Sequence, residues 1–119
     1  MNVGRICNRM SILIEKSGAG YTVTFEDGML ILPKITSEVE ALTEFVNKTE
    51  GGGERLKKAL VKEMRNQKYF SYDVLHEFGI DRYAVRAYTN GGRTPYFLGI
   101  GDTEAEAMLQ AFDIILHKE

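Results

Sequence analysis

Few residues of this sequence have the types that do covalent or proton-transfer chemistry. The two histidines, His76 and His117, lie far apart in sequence. The acidic pairs Glu26/Asp27 and Glu104/Glu106 fall where turns and helix starts want carboxylates. General acid–base work needs such groups to converge in a pocket, and no spacing here forces that. Cys7 is the single cysteine, so no intrachain disulfide can form. A nucleophilic thiol needs a base beside it, and a zinc site needs more soft ligands than two distant histidines add. Cys7 therefore reads as a small buried apolar residue. No catalytic residue, metal or cofactor is expected, and the chain is not expected to be an enzyme.

The stretch Gly99-Ile100-Gly101-Asp102-Thr103 is the one glycine pattern that invites a phosphate. A dinucleotide fingerprint needs a third glycine where Glu104 stands, and a further strand beyond the helix. Only 18 residues follow Gly101. The Gly-Lys-Ser/Thr of a P-loop is missing as well. Asp102, Glu104 and Glu106 would repel a phosphate backbone. They suit instead the partial positive charge of a helix N-terminus.

Cations cluster elsewhere. Glu54 to Lys68 holds six basic and two acidic residues, a local net of +4. Arg55, Lys58, Lys62 and Arg65 recur at helical spacing and share one face. That face is either a docking stripe for an acidic partner or nucleic acid, or a solvated surface opposite Leu56, Leu60 and Met64. A second group is Arg82, Arg86 and Tyr88 on a strand, with Arg93 in the following turn. Arginine and tyrosine together suit a protein-binding surface if that strand face is open.

The elements that position these residues follow from periodicity. Residues 12–32 read as strands and turns, with Tyr21, Val23 and Phe25 alternating against Thr22 and Thr24. "MLIL" reads as a short, more fully apolar strand ended by Pro33. Ser37 and Glu40 make a capping box, and Val39, Leu42, Phe45 and Val46 form the inward face of the helix that follows. Gly51 to Gly53 break it as a short flexible connection. A helix over Glu54–Lys68 comes next. "YFSYDVLHEFG" reads as a further helix, N-capped by Ser71 and closed by Gly79, with His76 on it and Val74, Leu75 and Phe78 inward. Tyr83, Val85 and Ala87 share a strand face, Asn90-Gly91-Gly92 turns the chain, and Tyr96, Leu98 and Ile100 alternate on the return. Thr103 and Glu106 cap a final helix whose apolar stripe is Ala105, Met108, Phe112, Ile115 and Leu116.

Ser37–Leu42 ("SEVEAL") matches Thr103–Met108 ("TEAEAM") position for position, and each follows a hairpin bearing Tyr-x-Val. The predicted fold class is α+β: two ββα units around a helical middle, with an antiparallel sheet of about four strands and helices packed on it. The expected organisation is one domain over 1–119, a pseudo-repeat at 10–49 and 80–118, and a helical connection over 53–79. The 119 residues suffice for one core. Hydrophobic residues at 44% and charged residues at 27% exclude a disordered chain. A net charge of −2 argues against bulk nucleic-acid binding. No apolar run approaches the ~18 residues of a membrane span, and the N-terminus lacks a signal-peptide core. The cytoplasm is the expected location, and no membrane partner is expected.

Three families share motifs with this chain. A hairpin, a Gly-x-Gly and an amphipathic C-terminal helix resemble the second half of a double-stranded-RNA-binding domain, but that family carries lysines where this helix starts with carboxylates. "GDTEAEA" is similar to the helix start of an antitoxin-type domain. That family adds a DNA-binding segment after this unit; with the sequence ending at Glu119, such autoregulation is not expected. The broadest resemblance is to the phage ABA sandwich domains, through "YFSYDVLHEF", the hairpin Tyr83–Ile100 and "GDTEAEAMLQAF". It covers about Tyr69–Leu116. That family's proline and cysteine in the last helix are absent here. The resemblance implies helices on both faces of a sheet, and a viral or mobile-element accessory protein in a bacterial host's cytoplasm. The function expected is non-catalytic binding of a host or viral protein, in concrete form an anti-defence inhibitor of the anti-CRISPR type, through Arg55, Lys58, Lys62, Arg65, Arg82, Arg86, Tyr88 or Arg93. The alternative is a nucleic-acid binder using the basic helix face. A homo-oligomer stays open.

Overall fold

A computed structural model describes residues 1–76, 82–89 and 96–117, with the backbone alone at 70–76, 89 and 97. The chain is α+β. Its order is α1 (Val3–Arg9), β1 (Leu13–Ser17), β2 (Gly20–Phe25), β3 (Gly28–Leu32), α2 (Glu38–Lys48), α3 (Gly52–Asn66), β4 (Tyr69–His76), β5 (Tyr83–Thr89), β6 (Tyr96–Gly101) and α4 (Glu104–His117). The strands form two small antiparallel sheets, β1-β2-β3 and β4-β5-β6, which corrects the single sheet of about four strands. The chain divides into two compact units, Met1–Leu56 and Lys57–Glu119.

In the first unit α1 is an element that periodicity did not flag. Asn2 caps it, its side-chain oxygen accepting from the Arg5 N–H at 3.2 Å. Val3, Ile6 and Cys7 are its buried face. Ser11, with φ +57°, then turns the chain into β1. The meander β1-β2-β3 places Ile14, Val23 and Leu30 in one cross-strand row and Lys16, Tyr21 and Leu32 in the next. This is the face that α2 packs on: Val23 is fully buried, and the Phe25 and Phe45 rings stand 5.1 Å apart. Ala41, Leu42, Phe45 and Val46 are the buried residues of α2. Val39 was expected among them but is 41% exposed, because it lies at the outer border of the stripe. The glycine connection is tighter than expected. Gly51 takes φ +77°, and Gly52 already starts α3, where a Cβ would lie 2.9 Å from Phe45 O and 3.0 Å from Val46 O.

In the second unit the predicted helix over "YFSYDVLHEFG" is instead β4, through His76. Tyr, Phe and Val favour a pleated, half-buried surface, and Ser and Asp are weak helix formers away from a cap. Ser71 therefore lies within a strand, His76 ends it, and the helical connection stops at Asn66. Phe78, Gly79 and the turn Asn90-Gly91-Gly92 lie outside the described residues. β5 is the central strand, and Ala84, Val85 and Ala87 are all buried. A register shift between Val85 and Arg86 breaks the expected alternation in β6. Leu98 is buried while Tyr96 and Ile100 are exposed. α4 packs on β5 and β6, and its predicted stripe is buried throughout, joined by Ala107, Leu109 and Ala111.

Candidate functional site

Gly99, Ile100 and Gly101 are the end of strand β6 and not a turn, and they serve the fold. A Cβ on Gly99 would collide with Ala107 O and lie 2.7 Å from Ala111 N. One on Gly101 would lie 2.7 Å from Ala107 N. The glycines thus let β6 lie directly against the α4 backbone. The helix start is also occupied from within. Thr103 Oγ1 accepts from the Glu106 N–H at 3.2 Å, and Glu106 Oε2 accepts from the Asp102 N–H at 3.1 Å. The side chain of Gln110 accepts from the Ile100 N–H at 2.5 Å. The corner presents carboxylates and filled donors, the reverse of a phosphate cradle.

The predicted basic row splits in two. Arg55 turns inward: its Nη1 donates to Met10 O at 3.3 Å and its guanidinium lies 5.9 Å from the Phe25 ring centre. Asp27 is 3.9 Å away on the exposed β2–β3 turn. Arg55 thus ties α1, the β2–β3 hairpin and the start of α3 together. Lys58, Lys62 and Arg65 are exposed, in company with Lys57 and Lys68. Glu63, the one acid of this stretch past Arg55, is buried, with 2% of its surface exposed. The outer face from Lys57 to Lys68 therefore carries cations only.

The second predicted group is looser. Arg82 is exposed and precedes β5, with its Nε 3.9 Å from Asp102 Oδ1. Both side chains are well solvated, so this pair adds little. Arg86 is half-buried, its guanidinium 6.0 Å from the Tyr88 ring centre. Arg93 lies outside the described residues.

Sequence reasoning missed an exposed apolar surface. On the face of the first sheet opposite α2, the register lines up Leu13, Thr24 and Met29 in one row and Glu15, Thr22 and Ile31 in the next. Leu13, Met29 and Ile31 are 56%, 59% and 67% exposed. Thr22 and Thr24 are half-buried. The signal was present in "MLIL", but a continuous apolar run reads as buried on both sides. What reveals the open face is its pairing with the threonines of β2.

Cys7 is buried. Burial, reinforced by the Glu38 carboxylate, pushes its thiol up to about 11. A thiol so displaced is protonated at neutral pH and a poor nucleophile. His117 is exposed at the end of α4. Among the described residues no group of three or more His, Cys, Asp or Glu could hold a metal ion. No helix among them is long and apolar enough to cross a membrane.

No family model, curated protein or solved structure matches the chain.

Proposed function

We propose that this chain is a non-catalytic accessory protein that binds a protein partner through the uncovered face of its first sheet. The observation that carries this reading is the exposure of Leu13, Met29 and Ile31 on one face, on either side of Thr22 and Thr24 of the central strand and with Glu15 beside Leu13. Exposed apolar residues interspersed with hydroxyls and a carboxylate suit a protein-docking patch. The resemblance to phage ABA sandwich domains supplies the setting: a phage or mobile-element protein acting in a host's cytoplasm. Its concrete form is an anti-defence inhibitor that blocks a host protein sterically. Affinity capture of host proteins on the full chain tests this. The wild type retains a specific protein, and Leu13→Glu releases it without lowering the melting temperature. Retention of nothing specific, or retention unchanged by Leu13→Glu, overturns the reading.

A second reading is nucleic-acid binding. The cation-only outer face of α3, with Lys58, Lys62 and Arg65, favours it. Such binding weakens steeply with salt. A gel shift with no complex at low salt excludes it.

A further inference from the structure

A sheet edge is a row of backbone donors and acceptors ready to pair with another strand, and proteins block it with charges, bulges, proline or a covering group. Among the described residues three of the four edges here carry such a device. β1 carries Glu15 and Lys16. β4 has a register shift between Tyr69 and Ser71. β6 has the shift opposite Val85/Arg86, and the Gln110 side chain occupies its Ile100 N–H. The fourth edge, β3, is Gly-Met-Leu-Ile-Leu. It has no charge, no proline and no register shift against β2, and Gly28, Met29 and Ile31 are exposed.

We infer that β3 pairs antiparallel with β3 of a second copy, about a two-fold axis at Leu30, to form one continuous six-stranded sheet. The sequence around β3 is self-complementary in that register. Leu30 meets its own counterpart, Met29 stands opposite Ile31, and Gly28 stands opposite Leu32. Beyond the strand, in the turns that flank it, Asp27 falls opposite Pro33 and, two steps out, Glu26 of each copy falls opposite Lys34 of the other; Glu26 and Lys34 are both exposed. Opposite charges facing across strands stabilise a pair, and like charges destabilise it. The same operation on β1, centred on Glu15, would set glutamate against glutamate. The unblocked apolar edge, with opposite charges in the turns at its two ends, thus favours β3 and a copy of itself. Pairing runs in the plane of the sheet, so it leaves the Leu13/Met29/Ile31 face uncovered and doubles its width. The inference therefore stands or falls separately from the partner reading above. A five-residue edge is small against the ~1,600 Å² of a standard interface, so the dimer is weak and concentration-dependent.

Sedimentation equilibrium of the full chain up to ~1 mM tests it, with circular dichroism and thermal melts reporting folding. The wild type shows a reversible monomer–dimer equilibrium. Met29→Lys/Ile31→Lys sets like charges opposite each other and weakens the dimer at least tenfold. Met29→Lys/Ile31→Glu sets opposite charges there and restores it. Leu13→Glu, on the other edge, leaves it unchanged. Under mild oxidation Leu30→Cys cross-links to itself and Leu13→Cys does not. A wild type that stays monomeric throughout, a dimer indifferent to the two double variants, or cross-linking through position 13 in place of 30 overturns the inference.

Discussion

The two units follow one plan with different local means. Each runs helix, three-stranded meander, helix: α1-β1-β2-β3-α2 and α3-β4-β5-β6-α4. Each opening helix hands over to its sheet through a non-glycine residue of positive φ, Ser11 at +57° and Lys68 at +65°. Counting back from those residues, Val3, Ile6 and Cys7 correspond to Leu60, Glu63 and Met64, and all six are buried. Each central strand carries Tyr-x-Val with a fully buried valine, Val23 and Val85. Each closing helix has the same modified capping box. The N-cap hydroxyl accepts from the glutamate's N–H, and the glutamate reaches back to the residue before the cap, Thr36 or Asp102. The difference lies in how strand and helix meet. In the first unit side chains fill the layer between them, with Phe25 against Phe45. In the second, Gly99 and Gly101 bring the end of the β6 backbone directly against the α4 backbone, beside the buried side chains of α4. The likeness extends beyond the pseudo-repeat expected at 10–49 and 80–118, because it includes the opening helices.

The largest effect separates these two ways of packing. Gly99→Ala drives a methyl into the α4 backbone, which cannot rotate aside as a side chain does. We expect a loss of about 3 kcal/mol or more in urea denaturation. Gly53→Ala is the control: a Cβ there meets nothing within 4 Å, and helix propensity favours alanine by about 1 kcal/mol. If Gly99→Ala stays within about 1 kcal/mol of wild type, the backbone contact is not what distinguishes the second unit.

The closing helices were legible in sequence because each carries two coincident signals, a capping box and an apolar stripe. Ser37/Glu40 with Leu42 and Phe45, and Thr103/Glu106 with Met108 and Phe112, all fall where they were expected. Two elements were not legible. α1 has seven residues and a lone Asn2 cap, too short for periodicity to register. β4 offered false helix punctuation in Ser71 and Gly79, while its aromatic density decided for a strand once β5 lay beside it. The basic row was legible as a row only. That Arg55 would bind Met10 O, and that Glu63 would be buried, depends on contacts remote in sequence. The open apolar face stayed hidden for a related reason: composition does not say which side of a strand a helix covers.

A middle-sized effect tests the match between Cys7 and Met64. Only the first unit has an ionisable group at this buried position. Its thiol sits at about 11, against an ordinary value of 9.0. Between those values the unfolded chain gives up the proton and the folded chain keeps it. The unfolded state then binds fewer protons, so stability falls as pH rises through this window and is level below it. The decline should reach about 2 kcal/mol by pH 11. Tyrosines and lysines titrate there too, so the informative quantity is the wild type minus Cys7→Ala. That difference should shrink across pH 9–11 by this amount. Denaturation curves giving a constant difference would mean that Cys7 is as accessible folded as unfolded. The thiol should likewise react with a disulfide reagent only on unfolding.

The smallest effect concerns the two left-handed residues, and it measures how alike the opening helices are. An L-residue in this region is strained by about 1–2 kcal/mol, which glycine relieves. Glycine also gives the unfolded chain more freedom, which returns roughly 0.5–1 kcal/mol of that gain. Ser11→Gly should therefore stabilise by about 0.5 kcal/mol. Lys68→Gly starts from the same balance but removes a cation just past the C-terminus of α3. There the last carbonyls of the helix favour positive charge by about 0.3–1 kcal/mol. Its net gain should be close to zero at low salt and approach that of Ser11→Gly as salt screens the dipole. Thermal melts at two ionic strengths read both terms. Equal gains at low salt would mean that the Lys68 charge does not feel the helix end. A loss at both positions would mean that the matching positive φ values are not the strain on which the parallel between the units partly rests.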